Sequence, residues 1–318
     1  MKKLTVKLAV ILFILLLVSN AIGCAAPVPE TVVFPDEKLD AVIRVALDKP
    51  AEEAITPAEL AGLTVLPARK LGITDLSGIE YCTNLTELGL DYNRISDISP
   101  LTSLTSLTLL QLNYNQINDL SLLVSLTNLT ELRLRTNQIS DISPLASLTN
   151  LKYLNLTDNQ ITDVSPLASL TNLEYLGLGA NQISDLSSLA SLTNLGGLRL
   201  NLNQISDLSP LASLTNLVVL HLSSNQISDI SPLASLTNLH WLRAASNRIS
   251  DISALASHTD LVVLELHYNQ ISDISPLVEN SGLSGNLQLA SNNLDLSEGS
   301  EDLKNIRILE ARGVEVIY

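Results

Sequence analysis

The chain has 318 residues, a formal net charge of −15 and two cysteines. Two cysteines allow one disulfide at most, which rules out a disulfide-stapled scaffold or a cysteine-rich zinc module, and an acidic total with no basic stripe argues against nucleic acid as a partner. Leucine, isoleucine and valine dominate, aromatics make up 3% and Met occurs once, so the core has one favoured side-chain size, which suits a repeated packing layer.

The first residues carry Lys2, Lys3 and Lys7, then an apolar run from Leu8 to Val18, then small residues. That layout predicts a secretory signal over 1–23, and the apolar run is too short for a permanent bilayer span. Ala21-Ile22-Gly23-Cys24 resembles a bacterial lipobox. The resemblance implies cleavage before Cys24 and acylation of its sulfur and amine, with palmitate among the chains. More than one chain is what stable anchoring needs. The alternative is an ordinary signal peptide with an incidental cysteine. Removing the three signal lysines takes the net charge from −15 to −18. Residues 24–32 then read as a lipidated Cys and a short proline-containing tether.

Residues 33–66 predict a helical N-terminal cap. Phe34, Leu39, Val42, Ile43 and Ala46 make a helical stripe, and Thr56-Pro57 starts a second short helix. A degenerate coil follows, with Leu66-x-Ala68 as its strand and Leu71 where later coils have asparagine.

From there the chain repeats, over 67–294. Asn93, Asn115, Asn137, Asn159, Asn181, Asn203, Asn225, Asn247 and Asn269 are each 22 residues apart, and NQISDISPLASLTNL occurs at 137–151 and again at 225–239. Each Asn follows a Leu-x-Leu or equivalent pair and precedes an Ile by two residues. A strand directs both residues of that pair inward. The Asn turns the chain and satisfies backbone groups at the bend. Ser-Pro-Leu reads as the start of a helical turn, with Ser as N-cap and Pro at N1. One repeat cannot bury its apolar side alone, but stacked repeats can. Residues 295–318 read as a C-terminal cap: a helix over 297–312 stopped by Gly313, then a strand over Val314–Tyr318.

The pattern is that of leucine-rich repeats, and the 22-residue form resembles the internalin-type bacterial repeats, as does the ARGVEV ending. The resemblance implies an α/β repeat solenoid: a curved domain with a concave parallel β-sheet, short helical or 3-10 turns on the convex side, a helical N-terminal cap and a helix–strand C-terminal cap. It also implies a protein partner on the concave face. Internalins commonly carry further immunoglobulin-like modules and a C-terminal wall anchor; neither is read here, where the N-terminal lipid is the expected attachment.

Several residues invite a functional reading and have a simpler one. Asp97 and its eight copies to Asp273 form a column of nine carboxylates, which suggests a cation ladder. Aspartate in a turn more commonly accepts hydrogen bonds from its own backbone. Cys82 and His258 fall in a core leucine column and read as core substitutions. Asn-Leu-Thr at 84, 128 and 155 lies in or beside paired strands and is not read as glycosylated. No phosphate loop, zinc spacing or readable nucleophile–base pair occurs, so neither an enzyme, a cofactor nor a metal is expected. His221 and His267 are two coils apart, about 10 Å by strand spacing, too far to share one metal ion.

The positions flanking each Leu-x-Leu differ at every coil while the scaffold columns hardly change. They hold Arg133, Arg135, Tyr153, Tyr175, Arg199, His221, Trp241, Arg243, Glu265 and His267. Across nine coils these columns contain four arginines and four acids, Glu87, Asp91, Glu131 and Glu265, so the face is near neutral by count. Aromatics and Arg are enriched at binding hot spots. The expected protein is a bacterial lipoprotein at the cell surface or in the periplasm, monomeric, binding a protein on this face. A glycan receptor using Tyr153, Tyr175 and Trp241, and a structural envelope protein, are the alternatives.

Overall fold

In the computed structural model, residues 30–318 are described; the signal segment, Cys24 and most of the tether lie outside them. Two helices open the described residues, α1 (Glu37–Leu47) and α2 (Pro57–Leu60). Twelve three-residue strands follow: β1 Val65–Pro67, β2 Glu87–Gly89, β3 Leu109–Gln111, β4 Glu131–Arg133, β5 Tyr153–Asn155, β6 Tyr175–Gly177, β7 Gly197–Arg199, β8 Val219–His221, β9 Trp241–Arg243, β10 Val263–Glu265, β11 Asn286–Gln288 and β12 Glu315–Ile317. Helices α3 (Ser275–Glu279) and α4 (Glu301–Ala311) lie near the end. The strands form one parallel sheet in chain order. Register is kept from coil to coil, Leu154 beside Leu176 beside Leu198. No helix among the described residues is long and apolar enough to cross a membrane.

The strands are short because each coil supplies only one inward pair. Leu176 and Leu178 are fully buried, as are their equivalents along the stack, and a parallel sheet needs this continuous cover. The opposite wall is a row of five-residue 3-10 turns such as Ser143–Ser147, each burying its central leucine. Two asparagine rows tie the coils. The inner row is the one read from the repeat: Asn181 Oδ1 accepts from Ile161 N at 3.0 Å, while its Nδ2 donates to Leu156 O and Leu178 O at 3.1 and 3.0 Å. The outer row adds to the sequence reading. The Asn of each SLTN stretch donates to the coil before, as Asn172 does to Thr149 O at 2.9 Å.

Three expectations are corrected. The serine of Ser-Pro-Leu is the first residue of its turn, not the N-cap, and makes no side-chain cap bond. The capping group is the aspartate two residues earlier: Asp141 Oδ1 accepts from Ser143 N at 2.8 Å, and Asp97 and Asp273 do the same. The aspartate column is thus a row of turn caps, and the Ser143 amide and hydroxyl hold the Asp141 carboxyl below its ordinary value. The inner ladder also continues past Asn269. Asn292 accepts from Ile271 N at 3.0 Å and donates to Leu266 O at 3.0 Å, although it comes 23 residues later. Finally, Ala46 is exposed; Leu39 and Ile43 form the buried face of α1, with Leu47 partly buried beside them.

Both ends of the stack are closed. Asp36 caps α1 by accepting from Lys38 N and Leu39 N, and it also accepts from Thr74 N at 2.8 Å, fixing the helix to the first coil. Phe34 packs where a Cβ on Gly78 would lie 2.7 Å from its ring. At the other end α4 starts at Glu301, not at 297, because Ser297 belongs to a turn capped by Asp295 and Ser300 is the N-cap. Gly313 (φ 89°) then returns the chain to β12. Cys82 is fully buried, which pushes its thiol up to about 12. His258 is fully buried too, its Nε2 3.1 Å from Leu233 O. Both fill core leucine positions.

Candidate functional site

The strand alternation that buries Leu-x-Leu turns the flanking side chains to the concave side. Trp241 stands 45% exposed at the start of β9. Arg135 and Arg199 are exposed; Arg133, Tyr153, Tyr175, Arg243, Glu265 and His267 are half-buried by their neighbours. His221 departs from the expectation of a solvent-facing column: it is only 9% exposed, set between Arg199 and Arg243 on adjacent strands. It is a floor residue.

The aromatics are paired. Tyr153 and Tyr175 stack at 4.4 Å between ring centroids, with the Arg133 guanidinium 5.1 Å from the Tyr153 centroid and that of Arg199 5.7 Å from the Tyr175 centroid. Burial pushes the Tyr175 phenol up to about 12. A second stack, Tyr92 on Tyr114 at 4.3 Å, lies outside the strand columns read from sequence. These tyrosines occupy the position just before the ladder asparagine, where the backbone turns left-handed, φ 59° and 56°. Alternation stops there, so a strand-based reading misses the column. Its recurrence every 22 residues, with aromatics at 92, 114 and 268, is the signal that could have found it.

Pairing changes the charge of the face. Of the four acids counted from sequence, Asp91 is buried and held by Arg69 at 3.0 Å, Glu131 is bound to Arg133, and Glu265 lies 3.0 Å from Arg243 Nε. The last contact is an ion pair rather than a directed hydrogen bond, since Arg243 Nε has no aligned acceptor. Neither Arg135 nor Arg199 has a carboxylate at ion-pair distance among the described residues. A face neutral by count is locally cationic.

That cationic region lines a hollow of about 350 Å³ that runs from the coil of β4 to β10 and crosses over β6. Its floor is open because Gly177 and Gly179 present no side chains. A Cβ on Gly177 would lie 2.8 Å from Asn155 Oδ1, and one on Gly179 2.6 Å from Asn201 Oδ1, so both amides lean over the glycine coil. Arg135, Arg199, Arg243 and His221 line the rest with Thr157, Ser223 and Glu265. Among the described residues no cluster of His, Cys, Asp and Glu could hold a metal ion.

Burial and the flanking arginines push His221 down from 6.5 to about 4, and burial lowers His258 in the same direction. An unfolded chain protonates these imidazoles near their ordinary value, while the native state resists. Stability is therefore full above about pH 6.5 and is lost as pH falls towards about 4, with His221 accounting for about 3 kcal/mol at the lower end. Urea midpoints at near-neutral pH and about pH 4.5 should differ less in His221→Gln than in the parent. An unchanged difference would assign the acid sensitivity elsewhere.

The fold, a stack of coils with a concave parallel sheet and an inner asparagine ladder, defines a leucine-rich repeat protein. The family model for Leucine Rich repeats (2 copies) matches residues 105–147, 149–191, 193–235 and 237–279, and a second Leucine Rich repeat model matches 81–98. The crystal structure of an internalin (inlF) from Listeria monocytogenes superposes with a TM-score of 0.77 and 38% identity, covering 92% of this chain and 95% of that one. The functional domain of InlJ from the same organism, described as including a cysteine ladder, matches with a TM-score of 0.64 and 27% identity over 83% of this chain and 67% of its own. In the present chain the ladder residue is asparagine. Internalin H of Listeria monocytogenes is 42% identical over 70 residues, a match spanning 22% of this chain and only 13% of that protein's length. The chain belongs to the leucine-rich repeat family, and to its internalin-like bacterial members.

Proposed function

We propose that this protein is a secreted bacterial lipoprotein, attached to a membrane through Cys24 and placed at the cell surface or in the periplasm, that binds a protein partner on its concave face. The observation that carries the binding role is the contrast between columns. Scaffold positions repeat almost unchanged and are bonded to one another. Concave positions change at each coil and leave Arg135, Arg199 and Trp241 exposed. A rigid stack with a variable curved face is a recognition surface, and an exposed Trp beside Arg243 has the composition of a hot spot. The lipid anchor rests on the lipobox resemblance alone. The protein is read as a binding module, not an enzyme.

The glycan alternative loses support from the tyrosine geometry. Tyr153 and Tyr175 cover each other's faces and carry guanidiniums near the outer ones, so of the three aromatics that reading relies on only Trp241 keeps an open face.

Affinity capture with the soluble domain from about residue 32 tests the reading. Trp241→Ala combined with Arg243→Ala should reduce capture at least ~30-fold, the effect of losing about 2 kcal/mol at a hot spot, with the circular dichroism spectrum retained. Equal capture by parent and double variant rules out these residues as the contact.

A further inference from the structure

The hollow over β6 has chemistry that a generic contact surface does not need. Arg135 and Arg199 stand three strands apart, about 14 Å at the strand spacing, one on each side of the glycine coil. Neither has a carboxylate at ion-pair distance among the described residues. Arg243 adds a third guanidinium, and the single acid of the lining, Glu265, is already at its Nε. The lining thus carries two positive charges in excess. Asn155 and Asn201 turn their amide oxygens over the glycine coil, and His221 Nε2 is buried nearby without a hydrogen-bond partner. Guanidiniums offer donors only, and the one carboxylate of the lining, Glu265, answers Arg243 and neither of the other two. The group that completes the site must be an anion.

We propose that this hollow receives an acidic peptide segment of the protein partner, its carboxylates taken by Arg135 and Arg199 on either side of the glycine coil, with Arg243 and His221 beside them. The assignment rests on the concave-face reading above and names the chemistry it recognises: an acidic peptide segment. The space, about 350 Å³ with a lining that runs from the coil of β4 to β10, suits a short peptide segment. Guanidinium and carboxylate match as planar bidentate partners. The rest of the molecule reinforces the choice. With a net charge of −15 it repels free anions at long range. A peptide brings contacts besides its carboxylates that offset this repulsion, which inorganic phosphate does not.

The test uses a capped triglutamate peptide, a capped triglutamine peptide and inorganic phosphate, each titrated into the labelled domain with the arginine Nε–H and His221 ring resonances followed by NMR. Triglutamate should shift the Arg135, Arg199, Arg243 and His221 signals saturably, and triglutamine should not. Arg199→Ala should weaken triglutamate binding at least ~10-fold, the equivalent of about 1.4 kcal/mol, and Arg135→Ala should do the same. Both side chains are exposed without ion pairs, so the melting temperature should stay near that of the parent. Equal shifts with the two peptides, or an unaltered affinity in Arg199→Ala, overturn the proposal. Shifts with phosphate and none with triglutamate overturn it in favour of an inorganic anion site. Loss of partner capture in the Trp241 and Arg243 double variant alongside a failed triglutamate titration leaves the concave reading standing and removes only the acidic-peptide assignment.

Discussion

Asn181→Ala is expected to destabilise the domain by about 2–4 kcal/mol, because it orphans the buried Ile161 N–H, at about 1–3 kcal/mol, and takes one donor from each of two buried carbonyls. Asn181 is 9% exposed and bonds to two coils at once, through Ile161 N, Leu156 O and Leu178 O. Alanine can neither accept from the first nor donate to the others; the two carbonyls each keep one ladder donor, Asn159 on Leu156 O and Asn203 on Leu178 O, whereas Ile161 N keeps none. Asn181→Asp keeps the acceptor for Ile161 but sets a carboxylate oxygen against two carbonyls, so it should rescue little. The outer row provides the contrast. Asn172 makes one exposed bond, to Thr149 O, and its replacement by alanine should cost no more than about 1 kcal/mol. Urea unfolding followed by circular dichroism compares the three. Equal losses for Asn181→Ala and Asn172→Ala would mean that interior saturation is not what holds the stack.

This stiffness connects scaffold to site. The hollow over β6 requires that Asn155, Gly177 and Arg199 stay in register on three neighbouring strands. The inner asparagines and the turn-capping aspartates fix that register, so the concave side chains need not stabilise anything. They can carry an unpaired Arg199, an orphan His221 nitrogen and an exposed Trp241, each of which an ordinary core or surface would discourage. Strain is placed just as regularly. The residue before each ladder asparagine, from Tyr92 to Ser291, has φ between 53° and 61°, and a non-glycine residue there costs of order 1–3 kcal/mol unless its surroundings enforce it. The asparagine bonds on the following residue supply that enforcement.

Most of the architecture was legible because period translates directly into position. The Leu-x-Leu columns, the inner ladder, the core roles of Cys82 and His258, and the turn-capping role of the aspartates all follow from a 22-residue register. What was not legible depends on interactions that a register does not encode. Asp and Ser sit two apart and both resemble caps, so only geometry shows that Asp141 receives the Ser143 amide. Asn292 escaped because one inserted residue breaks the period. The Tyr92 and Tyr114 stack lies where the backbone has left the strand. The hollow was hidden for a different reason. Charges on the face count to near zero, and only the pairings of Asp91, Glu131 and Glu265 show which arginines remain unmatched. Gly177 and Gly179 read as ordinary variation until the neighbouring amides lean across them.

The inserted residue in the last coil has a steric consequence of comparable size to the ladder. Gly285 has φ +70°, and a Cβ there would lie 2.4 Å from Val262 O and 2.9 Å from Val262 Cγ1. The first of these is backbone, accepting from Asn286 N at 2.9 Å, and cannot swing aside. Gly285→Ala should cost about 3–4 kcal/mol, combining about 1–2 for the left-handed conformation with about 2 for the overlap. Gly299 isolates the first part. It has φ +91°, and a Cβ there would meet nothing within 4 Å, so Gly299→Ala should lose only the conformational share, about 1–2 kcal/mol. The damage should also be local, since each coil contacts only its neighbours. Hydrogen exchange should rise in β11, β12 and α4 of Gly285→Ala while β4–β9 stay protected. The hollow over β6 should then keep its affinity for the triglutamate peptide even as the C-terminal closure opens. Simultaneous loss of protection along the whole sheet would show instead that the stack unfolds as one unit and that its closing coil governs the binding face from a distance.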